Sequence, residues 1–193
     1  MLRKRLAAML ASLFATAITG AAFAAPPASD RVDTAEKAGK SGEVFTVLHA
    51  VSQWSIDLSK MAEEKAKSQL VKDYAHQMAT ANGEKDAKLM SIAQKHGVEV
   101  AALDPKTEEG RSLLDRSRAE TELLSALNGD AFDKEYMTLV TNTQQSVIHF
   151  LERHKAAAKD QDVKQFLGDL TTTVQNRLKR AQDIMAKVYG DGI

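Results

Sequence analysis

Apolar side chains recur along this chain at three- and four-residue steps, the spacing of one face of an α-helix. The first stripe runs Val44, Leu48, Val51, Leu58 and Ala62, widened by Trp54 and Met61. A second runs Val71, Tyr74, Met78, Leu89 and Ala93. A third joins Phe132, Tyr136, Val140, Thr143, Val147, Phe150 and Leu151. A fourth joins Val163, Leu167, Leu170, Val174, Ala181, Met185 and Val188. Each stripe carries a polar residue near its middle: Ser55, Asn82, Gln144 and Arg177 respectively. A shorter segment holds Leu113, Leu114, Leu123, Leu124 and Leu127. No strand-like alternation and no internal repeat interrupts this pattern.

Start and stop signals divide the stripes into five helices. Ser41 is an acceptable N-cap for the first and Ser68 for the second, because a short hydroxyl side chain can accept from an orphan backbone N–H. His96-Gly97 closes the second helix, a glycine being suited to the left-handed turn that follows a last turn. Asp104-Pro105 opens the short helix, with proline in a first turn that needs no N–H donor there. Asn128-Gly129 stops it. Asp130 caps the next helix, and Asp133 adds a second acid where the helix dipole favours negative charge. Asp160 or Asp162 opens the last. Asn82-Gly83 is a turn dipeptide inside the second stripe. The stripe resumes in phase at Leu89, so the helix is expected to continue, weakened by about 1 kcal/mol for the glycine. The expected fold is all-α: a ferritin-like four-helix bundle with one additional short helix. In such bundles the middle layer is where sites are built from facing helices.

Composition changes the picture at the beginning of the chain. Arg3, Lys4 and Arg5 precede an apolar run from Leu6 to Phe23 that ends at Ala22-Phe23-Ala24. A basic start, an apolar stretch and a small-residue exit form a secretory signal peptide over residues 1–24. Residues 25–40, rich in Pro, Ala, Ser and charge, read as a flexible leader to a bundle over residues 41–190. Cleavage removes three basic residues and no acid, taking 26 basic against 26 acidic residues to 23 against 26. That balance gives no electrostatic case for nucleic acid or anionic lipid. No second apolar run reaches the roughly 18 residues of a membrane span, so no stable membrane insertion is expected after cleavage. The chain has no cysteine, which excludes disulfides, thiolate metal sites, a cysteine nucleophile and a lipoprotein anchor. The expected location is the periplasm, as a soluble protein.

Several runs in this order resemble a known family. They are Ile56-Asp57-Leu58-Ser59-Lys60-Met61-Ala62-Glu63-Glu64-Lys65-Ala66, Val71-Lys72-Asp73-Tyr74-Ala75-His76-Gln77-Met78, His96-Gly97-Val98, Ala131-Phe132-Asp133-Lys134-Glu135-Tyr136-Met137 and Val163-Lys164-Gln165-Phe166. Together, across Glu43 to Ala186, the chain resembles the exported bacterial ferritin-like domain-of-unknown-function family 4142, often labelled predicted outer membrane protein. The resemblance implies an exported helical bundle with no established activity. Members of the family commonly carry histidine where this chain has Asn82, Gln144 and Arg177.

The chemistry these residues can support is limited. A ferritin-like di-iron site needs Glu-x-x-His on two helices and two further carboxylates, and the chain has no Glu-x-x-His. The nearest pair is Asp73 and His76, weak metal candidates on a helix flank. Met61, Met78, Met137 and Met185 fall on or beside the stripes, where core filling explains them. No G-x-S-x-G, no phosphate-binding glycine loop and no Ser, His and acid set is present. The polar layer is expected to be either a hydrogen-bonded plug, with Arg177 donating to oxygens of Gln144, Asn82 and Ser55 and Asp57 adding charge, or a site for a small polar or anionic ligand held by Arg177. The expected protein is non-enzymatic and without cofactor: a binding or envelope-stress accessory protein whose partner is an envelope protein or a small polar or anionic ligand. The alternative is a metal-binding or oxidative-stress protein of ferritin-like type.

Overall fold

The computed structural model describes residues 28–190, with side chains from Gly42 onward. The signal segment lies outside the described residues. Among them are five α-helices and no strand: α1 (Ala28–Lys65), α2 (Gln69–Lys95), α3 (Glu108–Ala126), α4 (Gly129–Ala157) and α5 (Gln161–Tyr189). The helix expected from Ser41 is already running at Ala28, so Ser41 is an interior position rather than the N-cap. After Pro27 there is no proline until Pro105, and Ala, Glu and Lys favour helix throughout the segment. The backbone of residues 28–40, expected as leader, is therefore part of α1.

Antiparallel pairs build the bundle. Three-residue turns join α1 to α2 and α4 to α5, and these two pairs pack most extensively, with α2 against α5 and α1 against α4 closing the ring. The connection from α2 to α4 crosses the bundle and contains α3, so α2 and α4 run parallel. One long crossover of this kind is the ferritin-like arrangement of four helices, and it makes α3 the additional short helix outside the ring.

The caps show why the helices end where they do. At the end of α2 the Val98 N–H donates to the Ala93 carbonyl (2.9 Å) and Gly97 N–H to Gln94 (3.1 Å). Gly97 has φ 63°, a left-handed value that glycine adopts without penalty. Asp160 is the N-cap of α5, its carboxylate accepting from the N–H groups of Asp162 and Val163. Two expected starts differ. Asp104 accepts from Lys106 N–H in a turn ahead of α3, and Thr107 is the cap, its hydroxyl accepting from Gly110 N–H at 3.0 Å. A proline two residues before the cap belongs to the turn, not the first turn of helix. Helix α4 begins at Gly129, with Asn128 rather than Asp130 at the N-cap position. The dipeptide Asn82-Gly83 does not break α2.

The apolar faces close over two clusters. One gathers Leu58, Tyr74, Met78, Leu124, Phe132, Tyr136, Met137 and Ala181 toward the α1–α2 turn. The other gathers Phe45, Leu48, Leu89, Leu151, Phe166, Leu167 and Val174 toward the α4–α5 turn. Burial of side chains this size stabilises by about 1.5–3 kcal/mol each, and is the main term holding a cysteine-free chain together. Met78 and Met137 are core residues, with Met61 and Met185 packed against them.

Candidate functional site

Between the two clusters the four polar mid-helix residues come together. All four line one cavity of about 60 Å3, partly open to solvent and reached by α1, α2, α4 and α5. Their spacing along each helix is responsible: the antiparallel pairing sets Ser55 opposite Asn82, and Arg177 opposite Asn82 on the other side. Asn82 Nδ2 donates to Ser55 Oγ at 2.7 Å, and Arg177 Nη1 donates to Asn82 Oδ1 at 2.6 Å. Asn82 is thus the hub of a chain Arg177–Asn82–Ser55.

Gln144 does not join that chain as expected. Its Nε2 donates to Tyr74 Oη at 2.6 Å and lies 3.8 Å from Met78 Sδ. Tyr74 Oη in turn reaches the Arg177 backbone carbonyl at 3.4 Å. Asp57 is exposed and takes no part. Tyr74, an apolar-stripe residue by its spacing, is the polar member that sequence reasoning missed. Burial pushes its phenol up to about 12, so it is a neutral donor and acceptor at physiological pH.

The layer is incompletely satisfied. Three buried polar atoms on residues that line the cavity have no hydrogen-bond partner: Thr143 Oγ1, Gln144 Oε1 and Arg177 Nη2. An unpaired buried polar group costs about 1–3 kcal/mol, so three around one void point to an occupant. Burial also lowers the Arg177 pKa, and the desolvated cation has no carboxylate bonded to it. Lys85 and Arg177 are among the cavity's lining residues, which include no acid.

The weak metal candidates Asp73 and His76 each have another partner. Asp73 Oδ1 accepts from Gln69 Nε2, while His76 Nδ1 faces Glu63 Oε2 at 3.1 Å. Both are exposed and line a surface groove with Arg180 and Lys187. Among the described residues the group whose ligand atoms lie within 4.8 Å of one another is His96, Asp160 and Asp162. It brings the end of α2 to the start of α5. Asp162 already has a cation, since Lys95 Nζ donates to it and holds its carboxyl below the usual range.

Two further residues carry structure the sequence did not announce. Asp133, only 1% exposed, accepts from the N–H groups of Lys67 and Ser68 at 2.9 and 2.7 Å. It ties the α1–α2 turn to α4 instead of serving the α4 dipole, and Ser68 makes no side-chain cap bond of its own. Asp86, buried on α2, faces His49 Nδ1 at 2.8 Å and accepts from Gln53 Nε2 at 2.8 Å. Each partner lies tens of residues away, so no local pattern could have found them.

Taken as a class, this is an all-α four-helix bundle with a crossover helix and a polar, incompletely paired inner layer. The chain belongs to the family described as a domain of unknown function, DUF4142, which matches residues 26–184. Two solved structures share the fold. One is a protein from Streptomyces coelicolor labelled secreted and assigned to DUF305, with TM-score 0.63 and 13% identity over 76% of this chain and 93% of that one. The other is CopM in its Cu(I)-bound form, with TM-score 0.59 and 16% identity over 78% of this chain and 98% of that one. Among curated proteins nothing matches the chain. No described helix is long and apolar enough to cross a membrane.

Proposed function

We propose that this protein is an exported, non-enzymatic binding protein of the bacterial envelope, whose inner polar layer holds a small anionic ligand at Arg177. It acts there as a binding or envelope-stress accessory. The observation that carries the reading is the cavity where Thr143 Oγ1 and Arg177 Nη2, both able to donate, are left unpartnered and the lining residues include Lys85 but no acid. The signal segment at residues 1–24 and the labelling of one structural relative as secreted support export. Thermal unfolding of the mature protein with formate, acetate or nitrate tests it against equal chloride. A ligand that binds only the folded state raises Tm as its concentration passes its Kd. The rise is expected in the wild type and lost in Arg177→Gln. Equal curves with all four anions, unchanged in the variant, overturn it.

The second reading is a metal-binding or oxidative-stress protein, favoured by the His96, Asp160 and Asp162 group and by the Cu(I)-bound state of a structural relative. Metal analysis of the protein purified from periplasm separates the two. Stoichiometric iron, zinc or copper lost in His96→Gln would displace the first reading.

A further inference from the structure

The inner cavity adjoins a second space. It shares Leu48, Val51, Thr143 and Val147 with a groove of about 230 Å3 between α1, α3 and α4. Away from this common wall the groove is mostly apolar, faced by Val47, Trp54, Leu113 and Phe150, with Glu109 and Arg116 on the α3 side. Three of the four shared residues are apolar, and the fourth, Thr143, carries one of the unpartnered hydroxyls. Thr143 therefore stands in the wall between an apolar groove and the cavity that Arg177 lines.

The covering helix fits this arrangement. Helix α3 is anchored at its C-terminal half, where Leu124 is fully buried, Trp54 Nε1 donates to Thr121 Oγ1 at 3.2 Å and Lys65 Nζ donates to the Leu124 carbonyl. Its N-terminal half, from Glu109 to Arg116, lies over the groove. An inorganic anion would satisfy the inner donors, Arg177 Nη2 and Thr143 Oγ1, and leave this apolar space to water. A hydrocarbon chain attached to the anion would fill both.

We infer that cavity and groove form one amphipathic site for a short- to medium-chain monocarboxylate, its carboxylate on Arg177 and Thr143 and its alkyl chain under α3. The inference rests on the anionic-ligand reading above and names the ligand class. A carboxylate matches the flat guanidinium fork better than a spherical ion does. The groove is smaller than the roughly 300 Å3 lower bound of drug-sized pockets, which excludes a diacyl lipid and favours one unbranched chain.

The single tryptophan of the protein lines the groove and reports on the tail. The mature protein is titrated with acetate, hexanoate, octanoate, decanoate, octanol and nitrate, following Trp54 emission and binding heat. Octanoate is expected to shift the emission, and acetate and nitrate to bind without doing so. Affinity is expected to tighten about fourfold per added methylene until the groove is full. Arg177→Gln is expected to weaken octanoate at least tenfold and leave octanol unchanged, with Arg177→Lys intermediate. Ser146→Phe, at an exposed residue on the groove wall, is expected to remove the chain-length dependence while acetate still binds. Acetate and nitrate binding through Arg177 with affinity flat in chain length overturns this inference and leaves the anionic reading standing. Octanoate binding unaffected by either Arg177 variant, or no binding by any carboxylate or nitrate, overturns both.

Discussion

Two charges inside this bundle have opposite surroundings, and the difference sets what their removal costs. Asp133 is enclosed and fully used: both carboxylate oxygens accept from backbone N–H groups of the α1–α2 turn. Asp133→Ala leaves those donors without their anionic partner. A hydrogen bond to a charged group contributes about 1.5–3 kcal/mol, so the variant is expected to lose about 3 kcal/mol in denaturant unfolding, and Asp133→Asn, which keeps one acceptor, clearly less. Arg177 is half-buried, with one bond to Asn82 and one nitrogen unpartnered. Its guanidinium is desolvated without full repayment, as in buried ion pairs that apolar residues replace at little cost. Arg177→Leu is therefore expected to fold with stability within about 1 kcal/mol of wild type. A loss of several kcal/mol in the same unfolding experiment would show that the layer is a closed structural network, not a site.

Glycine has opposite roles in α2 and α3. Gly83 sits mid-helix and exposed, and a Cβ there would meet nothing within 4 Å. Gly83→Ala is expected to stabilise by up to about 1 kcal/mol and raise Tm, the helix propensity difference acting alone. Gly110 lies in the first turn of α3, where a Cβ would collide with the Asp104 carbonyl oxygen and lie 2.8 Å from Thr107 Oγ1. Gly110→Ala is expected to lower stability by about 1–3 kcal/mol, since backbone must move to admit the methyl. The stripes, and with them the five helices, were legible because a 3.6-residue period needs only local information. The same held for Asp160 and His96-Gly97, whose cap bonds close within a few residues. Ser41 misled because a good cap residue is not a stop when helix formers precede it. The four layer residues were legible as interruptions of the stripes, but their pairing was not. Gln144 goes to Tyr74, 70 residues away, and Asp133 to Lys67, 66 residues away. Such partners are chosen by tertiary packing, which no window of sequence contains.

The polar layer divides the apolar core of the whole molecule, and the tyrosines lie at or beyond that division. Tyr74 and Tyr136 are almost fully enclosed, and Tyr189 is partly covered at the end of α5. Burial raises all three phenols, Tyr74 and Tyr189 to about 12 and Tyr136 higher still. Tyr136 Oη shares a 3.1 Å hydrogen bond with Ser59 Oγ, which favours the phenolate but does not outweigh the burial. The sign of the linkage follows. The folded state keeps its phenol protons above pH 10, where an unfolded chain gives them up. The stability these groups contribute is fully present below the unfolded pKa near 10 and is lost as pH rises toward 12. These are all three tyrosines of the chain, so no exposed phenol obscures the measurement. Tyrosinate absorbance and helical circular dichroism are expected to change together in one alkaline transition above pH 10. A tyrosinate signal that titrates fully near pH 10 while the helices remain would mean that the two phenols flanking the layer are open to solvent.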